Sequence, residues 1–359
     1  MKITDMPSEV LAAIMRLAGQ PARVHSMLAC KALCSATAIR GAWDAVTFKD
    51  LDYTAVNFML RHRCGVVCIE TVAPDDVAWF LDRLATLGCG DCIRDLTLRI
   101  GTVQRLPSDL LCAVARHGRL RRFDMSVAEC LVTCEVAWPR HACLPDLRSV
   151  RIVEATDGVK NVVVWFDHSH PRFETLEDLH IDVGLSDVLV GVCHMPCLRR
   201  LVYHFETIEG GESYDDACLE GARLDILELD VTDESDTRLL FQQLERCSVR
   251  RLVLHVHDDF VDVSRPLSAD LEELVFGMCT TCADIQLDFQ HLASQYPKLK
   301  AVQLGVTAPW ILGNAAEVAA CHATLVFQHV DSFAAWMSLF SRVTLEYMPS
   351  TRVCIAPAL

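Results

Sequence analysis

One pattern of apolar positions recurs along most of the chain. An apolar residue is followed by two variable positions, a second apolar residue, one variable position and a third apolar residue. Nine copies begin at Ile93, Leu120, Leu147, Leu176, Leu198, Leu224, Val249, Leu271 and Leu299. Alternation at the end of each copy predicts a short strand with one buried face. Because one such unit cannot bury its apolar face alone, the pattern indicates stacked repeats.

The segments between these strands have the spacing of amphipathic helices. The clearest cover residues 75–87, 106–118 and 237–246. We therefore predict one strand and one helix in each repeat. After Leu304 the spacing is lost, as is common in terminal repeats that cap an array.

The repeats resemble the leucine-rich-repeat family with a helix on the outer side, over roughly residues 60–310. This resemblance implies a curved solenoid. The family usually has Asn or Cys eight positions after the first apolar residue of a copy. Here only Cys279 conforms, which predicts an irregular solenoid.

The N-terminal segment has a helical pattern of its own. Pro7 suits the first turn of a helix, and Glu9 is favoured near a helix N-terminus. One face of this predicted helix is apolar and contains Val10, Leu11, Ile14 and Leu17.

Three stretches of the N-terminal segment together resemble the F-box family. They are Met6–Leu11, Ala29–Leu33 and Ala42–Trp43. Met6 stands where the family usually has Leu, and Leu33 where it usually has Trp, which gives a smaller contact with a partner. The resemblance implies a small helical domain that docks on a Skp-type adaptor.

Together the two resemblances predict an α/β chain in which a small N-terminal helical F-box precedes a curved leucine-rich-repeat solenoid, with a strand and a helix in each repeat. The predicted domains are residues 1–50 (F-box), 51–310 (solenoid) and 311–359 (atypical C-terminal cap). The implied function is the substrate-recognition subunit of an SCF-type ubiquitin ligase, bound through the adaptor to a cullin. The implied adaptor-binding residues are Met6, Pro7, Val10, Leu11, Ile14, Leu28 and Leu33. The alternative is a repeat scaffold whose helical cap does not bind the adaptor.

Charge adds to this division. The chain has 33 Lys and Arg against 48 Asp and Glu, a net charge of −15. Residues 1–50 carry a net charge of +2, so the other 309 residues carry −17. An acidic body argues against general nucleic-acid binding, which requires a basic surface.

The 18 cysteines point to a reducing compartment, because the N-terminus lacks the apolar core of a signal peptide. No apolar run approaches the ~18 residues of a membrane span. We expect a cytoplasmic, or also nuclear, protein, in the host cell if the source is a virus or bacterium. Cys89 and Cys92, like Cys279 and Cys282, have zinc-knuckle spacing, but no nearby second pair completes a four-ligand site. We therefore predict no metal and no cofactor.

Residues on the outward face of the predicted strands are candidates for target binding. Four successive strands carry Asp182, His204, Asp230 and His255 in alternation, at a strand spacing of about 4.8 Å. The full candidate set is His180, Asp182, His204, Glu228, Asp230, His255, Arg122 and Arg151. Three interpretations stay open: cross-strand charge pairing, target recognition and a metal site.

Enzyme motifs are missing from the sequence. It contains no G-x-S-x-G, no phosphate-binding P-loop and no H-E-x-x-H. From Arg148 onward, Arg and Asp or Glu alternate from strand to strand along the predicted strand edges, so each later basic pair has acidic neighbours. The early arginines Arg121, Arg122, Arg148 and Arg151 have fewer acidic partners and suit an acidic or phosphorylated target. We therefore predict a non-catalytic protein whose partners are the adaptor and a target protein.

Overall fold

The computed structural model describes residues 8–17, 44–139, 144–156, 159–166, 173–186, 188–205, 219–231, 242–256, 260–262, 268–276, 284–286, 295–304, 324–327, 344–348 and 352–356. The chain forms two compact units. The first comprises Met1–Leu176 and Val183–Asp187, and the second comprises Glu177–Asp182 and Val188–Leu359. The predicted domain boundaries at residues 50 and 310 stay predictions.

The described residues of the first unit form four helices and two sheets. The helices are α1 (Ser8–Leu17), α2 (Tyr53–His62), α3 (Pro74–Leu84) and α4 (Leu110–Ala115). The main sheet has the order β1 (Ala45–Phe48), β2 (Val66–Thr71), β3 (Asp95–Val103), β4 (Arg122–Cys130), β6 (Ser149–Glu154). The smaller sheet has the order β5 (Cys134–Ala137), β7 (Val162–Trp165), β9 (Leu185–Ser186).

The main sheet of the first unit is parallel, and its strands are aligned so that apolar residues form continuous rows. Leu96 of β3 pairs with Phe123 of β4, which pairs with Val150 of β6. Two residues further along these strands, Leu98 of β3 pairs with Met125 of β4. All five residues are buried. The repeated apolar positions of the sequence thus lie on one face of this sheet, and burial of that face stabilises the unit.

Aromatic side chains fill the core beside β4. The indole ring of Trp138 contacts the rings of Phe123 and Phe173 edge to face, each at a centroid distance of 5.8 Å. Phe166 packs against Phe173 at the same distance. Such edge-to-face pairs are favourable beyond the area that they bury.

A buried carboxylate joins the two sheets of the first unit. Glu154, at the end of β6, is 1% exposed. It accepts backbone hydrogen bonds from Cys130 (2.9 Å), Asn161 (2.7 Å) and Val162 (2.8 Å). Cys130 ends β4, and Asn161 and Val162 lead into β7, so one side chain fixes the start of the smaller sheet. Gly184 lies against the backbone just before Asn161. A Cβ atom at this position would collide with the carbonyl oxygen of Lys160.

Among its described residues, the second unit has one α-helix with defined bounds, α5 (Val188–Gly191), and a 3-10 turn at Val192–His194 follows it. Its main sheet has the order β8 (Asp178–Val183), β10 (Arg200–Phe205), β11 (Arg223–Val231), β12 (Ser248–Val256), β14 (Glu273–Phe276), β16 (Ala301–Leu304), β17 (Thr324–Phe327), β19 (Arg352–Ala356), β18 (Thr344–Met348). A separate pair consists of β13 (Phe260–Asp262) and β15 (Asp284–Gln286). Strands β10 to β17 are parallel, whereas β19 is antiparallel to β17 and β18.

The predicted fold class is wrong. The chain is α/β, but it is built on extensive parallel sheet with five helices in all among the described residues. In that part of the chain no small helical F-box followed by a curved leucine-rich-repeat solenoid is present. Residues 45–48, which fall within the predicted domain 1–50, form β1, in which Ala45 pairs with Val66 of β2.

The error lies in the segments that connect the strands. Helix α3 falls on a predicted helical segment, and α4 is shorter than its prediction. The connections after β4, β6, β12 and β14 instead contain strands, namely β5, β7, β13 and β15. Of the predicted helical segment 237–246, residues 242–244 form a helical turn and residues 237–241 lie outside the described residues. Strand β7 has the sequence Val-Val-Val-Trp, and β-branched and aromatic residues favour extended backbone. A strand and a helix in each repeat was therefore an incorrect reading of these connections.

No helix in the described ranges combines the length and the apolar character needed to cross a bilayer.

The contacts of Glu154 predict a large effect of its substitution. In Glu154→Ala three buried backbone N–H groups lose their acceptor, and each unpaired group costs about 1–3 kcal/mol. We expect the free energy of unfolding in urea to fall by at least about 3 kcal/mol. Amide hydrogen exchange at Cys130, Asn161 and Val162 should accelerate in parallel.

Glu129→Gln is the matched control, because Glu129 lies on the same strand β4 and has no such role. We expect it to change the unfolding free energy by less than about 0.5 kcal/mol. Equal stability of the Glu154→Ala and Glu129→Gln proteins would refute the role given to Glu154.

Candidate functional site

The polar face of β10, β11 and β12 carries a cluster of histidine and carboxylate side chains. Alternation along β11 buries Leu227 and Leu229 and places Glu228 and Asp230 on the opposite face. Asp230 pairs in register with His255 of β12. Because Tyr203 of β10 pairs with Leu229, the next residue, His204, lies beside Asp230. Parallel pairing thus brings the side chains of His204, Glu228, Asp230 and His255 together on three adjacent strands.

Glu228 makes the closest contacts in this cluster. Its Oε1 atom accepts a hydrogen bond from His255 Nε2 at 2.9 Å and lies 3.5 Å from His204 Nε2. The rings of His204 and His255 meet edge to face, with centroids 4.9 Å apart. We call His204, Glu228 and His255 the histidine–glutamate triad.

The triad is partly shielded from water. Glu228 pairs in register with Val202 on one side and Val253 on the other, and both valines are buried. The side chains of His204, Glu228 and His255 are 20%, 23% and 27% exposed. Apolar neighbours on both sides therefore hold a carboxylate in a partly desolvated position, where its interactions with the imidazoles are strengthened.

Electrostatic coupling in the triad shows in the pKa values of two members. Contacts from His204 and then His255 lower the pKa of Glu228 far below its usual range, against the effect of burial. For His204, burial lowers the pKa, but Glu228, Asp230 and Asp182 together outweigh it and raise the pKa above its ordinary value. The carboxylate therefore stays ionised and favours the imidazolium form of His204.

The structure changes the predicted roles within the ladder. Asp182 and Asp230 act on His204 through their charges, as the alternating column predicts. The carboxylate in direct contact with both imidazoles is that of Glu228, which is not a member of the alternating column. His180 lies at the margin, its ring centroid 6.1 Å from that of His204. All six predicted residues of this group thus lie on β8, β10, β11 and β12 of the second unit.

A separate groove of about 1080 Å³ lies on the polar face of the first unit. It is lined by side chains of alternating charge, including Lys49, Glu70, Arg99, Asp124 and Arg151. Arg99 contacts Glu70 at 3.1 Å, and Arg151 contacts Asp124 at 3.1 Å. The groove presents both signs of charge in a fixed order.

This arrangement corrects the expectation for the early arginines. Arg122 and Arg151 were predicted to have few acidic partners and so to suit a phosphorylated target. Arg151 is instead paired with Asp124, and Arg122 is in register with Asp95 of β3. Mixed charge suits a protein surface better than a phosphate, since Arg99 and Arg151 are each paired with a carboxylate.

Charges also alternate along the edge of the second unit. Arg250 contacts Asp225 at 3.3 Å and Glu272 at 3.4 Å, and Lys300 contacts Glu272 at 2.6 Å. Ion pairs with both neighbours raise the pKa of Arg250, with the Glu272 hydrogen bond as the largest cause. The basic residues predicted for this edge are thus neutralised by the adjacent strands.

Helix α1 has two apolar faces, and they differ in exposure. Leu11 and Met15 are buried, at 2% and 5% exposure. Val10, Ile14 and Leu17 are 45%, 36% and 87% exposed. Leu11 therefore faces the core rather than a partner, contrary to its predicted role. Met6, Pro7, Leu28 and Leu33 lie outside the described residues.

Of the two cysteine pairs with zinc-knuckle spacing, the structure describes Cys89 and Cys92. Burial is the largest cause that raises the pKa of Cys89, and the adjacent Cys92 raises it further. Cys279 and Cys282 lie outside the described residues. Within the described ranges, the histidine–glutamate triad is the group of three or more metal-ligating side chains that the structure brings together.

No protein-family model matches this chain, and a search of curated proteins found no significant match.

Sequence reasoning underrated Glu228 and did not single out Lys49 and Glu70. For Glu228 a signal was present: it stands two positions before Asp230, so both lie on one face of β11. Lys49 and Glu70 lie before the first repeat, and no pattern in the sequence aligned β1 with β2. Their proximity, 4.0 Å between charged atoms, is a product of strand pairing.

The raised pKa of His204 predicts a pH-dependent contribution to stability in metal-free buffer. Because the folded value exceeds the unfolded value of about 6.5, this contribution is complete below pH 6.5 and is lost as the pH rises through the folded value. The pKa of Glu228 is lower in the folded chain than its unfolded value of about 4.5. The stability that this carboxylate contributes is therefore fully present above pH 4.5. The stability difference between wild type and Glu228→Gln should therefore be greatest near pH 5–6.5 and shrink towards pH 9.

Histidine ring NMR provides the direct measurement. We expect Glu228→Gln to lower the pKa of His204, because the contact with the Glu228 carboxylate that helps to raise it is lost. Glu245→Gln, at an exposed position of the same unit, should leave it unchanged. An unaltered His204 pKa in Glu228→Gln would contradict the coupling.

Proposed function

We propose that this chain is a non-catalytic recognition subunit of a Skp–cullin ubiquitin ligase. In this proposal α1 binds a Skp-type adaptor and the polar sheet faces bind a target protein, in the cytoplasm. The observation that carries it is the exposed apolar strip of α1, formed by Val10, Ile14 and Leu17. These residues are spaced i, i+4 and i+7, the arrangement by which a helix binds an apolar groove.

The proposal does not depend on a three-helix F-box. Docking of a helix into a groove requires one helix whose apolar strip is accessible and whose other side is anchored. Leu11 and Met15 provide the anchor, since both are buried while the strip is exposed. The family resemblance of Met6–Leu11 and Ala29–Leu33 supports the adaptor as the partner.

The mixed charges of the first unit's groove support a protein as the target. Complementary charge patterns fix orientation and accelerate association between proteins. A nucleic-acid-binding surface would require an excess of basic residues. The groove instead has the acidic residues Glu70 and Asp124 among the basic residues Lys49, Arg99 and Arg151. A ligase receptor needs no catalytic residues, because it acts by holding a target near the charged enzyme.

One observation favours a second candidate function. Leu11, which the F-box resemblance assigns to the adaptor, is buried in this chain. In a protein-binding scaffold that does not bind the adaptor, Leu11 has no adaptor to contact, so its burial in the core is expected. The two candidates differ in a single measurable property, which is binding to the adaptor.

Adaptor binding is tested with the full-length chain and a purified Skp-type adaptor. Val10→Asp with Ile14→Asp should weaken binding more than about 100-fold, because each apolar side chain buried contributes about 1.5–3 kcal/mol. Val10→Ile with Ile14→Leu is the control, and it should bind within a few-fold of wild type. Calorimetry measures affinity, and circular dichroism confirms that each variant is folded.

Failure of the wild-type chain to bind the adaptor would reject the ligase proposal in favour of the scaffold. Equal binding by the Asp and the conservative variants would show that α1 is not the contact.

Target binding is tested separately by proximity labelling in host cells. Arg99→Gln with Arg151→Gln should reduce labelling of the target while adaptor binding persists, because both arginines line the groove. We expect up to about fivefold per arginine, because an exposed ion pair contributes up to about 1 kcal/mol. Arg105→Gln, at an exposed position outside the groove, is the matched control. Unchanged labelling in the double variant would exclude the groove as the target surface.

A further inference from the structure

The histidine–glutamate triad has the donor set of a transition-metal site. Two imidazole nitrogens and one carboxylate oxygen bind zinc in many enzymes, where a fourth position is left open. The same set binds other imidazole-preferring divalent ions. From the sequence, a metal site was one of three interpretations of the ladder that contains His204 and His255, and no second cluster of metal-binding spacing supported it.

The distances within the triad fit an ion. The three ligand atoms lie within 4.8 Å of one another. Two of the separations are 2.9 Å and 3.5 Å, both to Glu228 Oε1. Tetrahedral zinc with bonds of about 2.0–2.2 Å separates its ligand atoms by about 3.4 Å. Small side-chain rotations therefore suffice to close the three atoms around one ion.

One atom of the triad is left without a hydrogen bond. His204 Nε2 is buried, and at 3.5 Å its contact with Glu228 is an ionic contact rather than a hydrogen bond. A buried nitrogen without a hydrogen-bond partner is costly. An ion bound between His204, Glu228 and His255 would use this nitrogen as a ligand.

The surroundings resemble those of natural metal sites. The triad stands on three adjacent strands, whose hydrogen-bonded register holds the ligands more firmly than a loop would. Buried Val202 and Val253 flank the carboxylate and reduce access of water. Asp230 pairs in register with His255 and acts on His204 through its charge, and carboxylates are common outer partners of metal-binding histidines.

We propose that His204, Glu228 and His255 bind one divalent transition-metal ion of the zinc class, with the fourth position open towards the polar face of the sheet. This site is independent of the ligase proposal, since it involves neither α1 nor the groove of the first unit. An open position allows water, or a side chain of a bound protein, to complete the coordination.

The test uses the full-length chain, stripped with chelator and titrated with Zn²⁺ by calorimetry. We expect one ion bound per chain at this site. We expect Zn²⁺ affinity to fall by at least about 100-fold in each of His204→Asn, Glu228→Gln and His255→Asn. Loss of a residue that only supports a metal ligand costs up to about 100-fold in affinity, and loss of a ligand itself should cost no less. His180→Asn and His194→Asn are the matched controls, since neither residue belongs to the triad, and both should bind Zn²⁺ within about twofold of wild type.

Cobalt distinguishes this site from the many cysteines of the chain. Co²⁺ bound by nitrogen and oxygen gives visible absorption without the strong near-ultraviolet band of cobalt–thiolate bonds. In the wild-type chain, Co²⁺ should also broaden the ring signals of His204 and His255 and leave that of exposed His194 sharp. This NMR measurement needs no substitution, so it stays decisive if a variant fails to fold.

Unchanged Zn²⁺ affinity in folded triad variants would overturn the proposal. So would a thiolate band on Co²⁺ addition with sharp His204 and His255 signals, because the ion would then be held by cysteine.

Discussion

Within each unit, the parallel register of adjacent strands is the constraint on which the rest of the structure depends. Side chains alternate between faces with a period of two, so a slip of one residue would turn every apolar position towards the opposite face. The register instead aligns Leu96 with Phe123 and Val150 in the first unit, and Leu227 with Leu252 and Leu274 in the second. Burial of these rows is the dominant favourable contribution to folding. Register and core therefore specify each other.

The same register dictates the chemistry of the polar faces. Neighbouring strands lie only about 4.8 Å apart, so a charge on one strand is always close to the residue opposite. In the groove of the first unit and at the edge of the second, the side-chain charges alternate in sign from strand to strand, as in Lys49, Glu70 and Arg99. The triad differs, because Glu228 is shared between two imidazoles and flanked by buried valines. Pairing on a solvated face is weak, whereas partial desolvation makes the triad a distinct chemical site.

The fold that the family resemblance implied fails for a physical reason. Periodicity located the strands well, since Leu, Val and Ile at alternate positions leave little choice of backbone. The connections carry weaker patterns, and their apolar residues suit a helix or a second strand equally. In the first unit, the buried carboxylate of Glu154 holds β7 next to β4 by bonds to Cys130, Asn161 and Val162. Such long-range satisfaction of backbone donors cannot be read from a local window of sequence.

The sequence by itself determined the apolar strands, their spacing and the candidate polar residues on them, because these follow from alternation along a single segment. It also indicated the apolar character of α1. Tertiary structure decided that Leu11 is buried while Val10 and Ile14 are exposed. It also decided that Arg151 is neutralised by Asp124 and that Glu228, rather than Asp230, contacts both histidines. Those outcomes depend on distances between residues some 25 positions apart, which only the pairing and twist of packed strands can set.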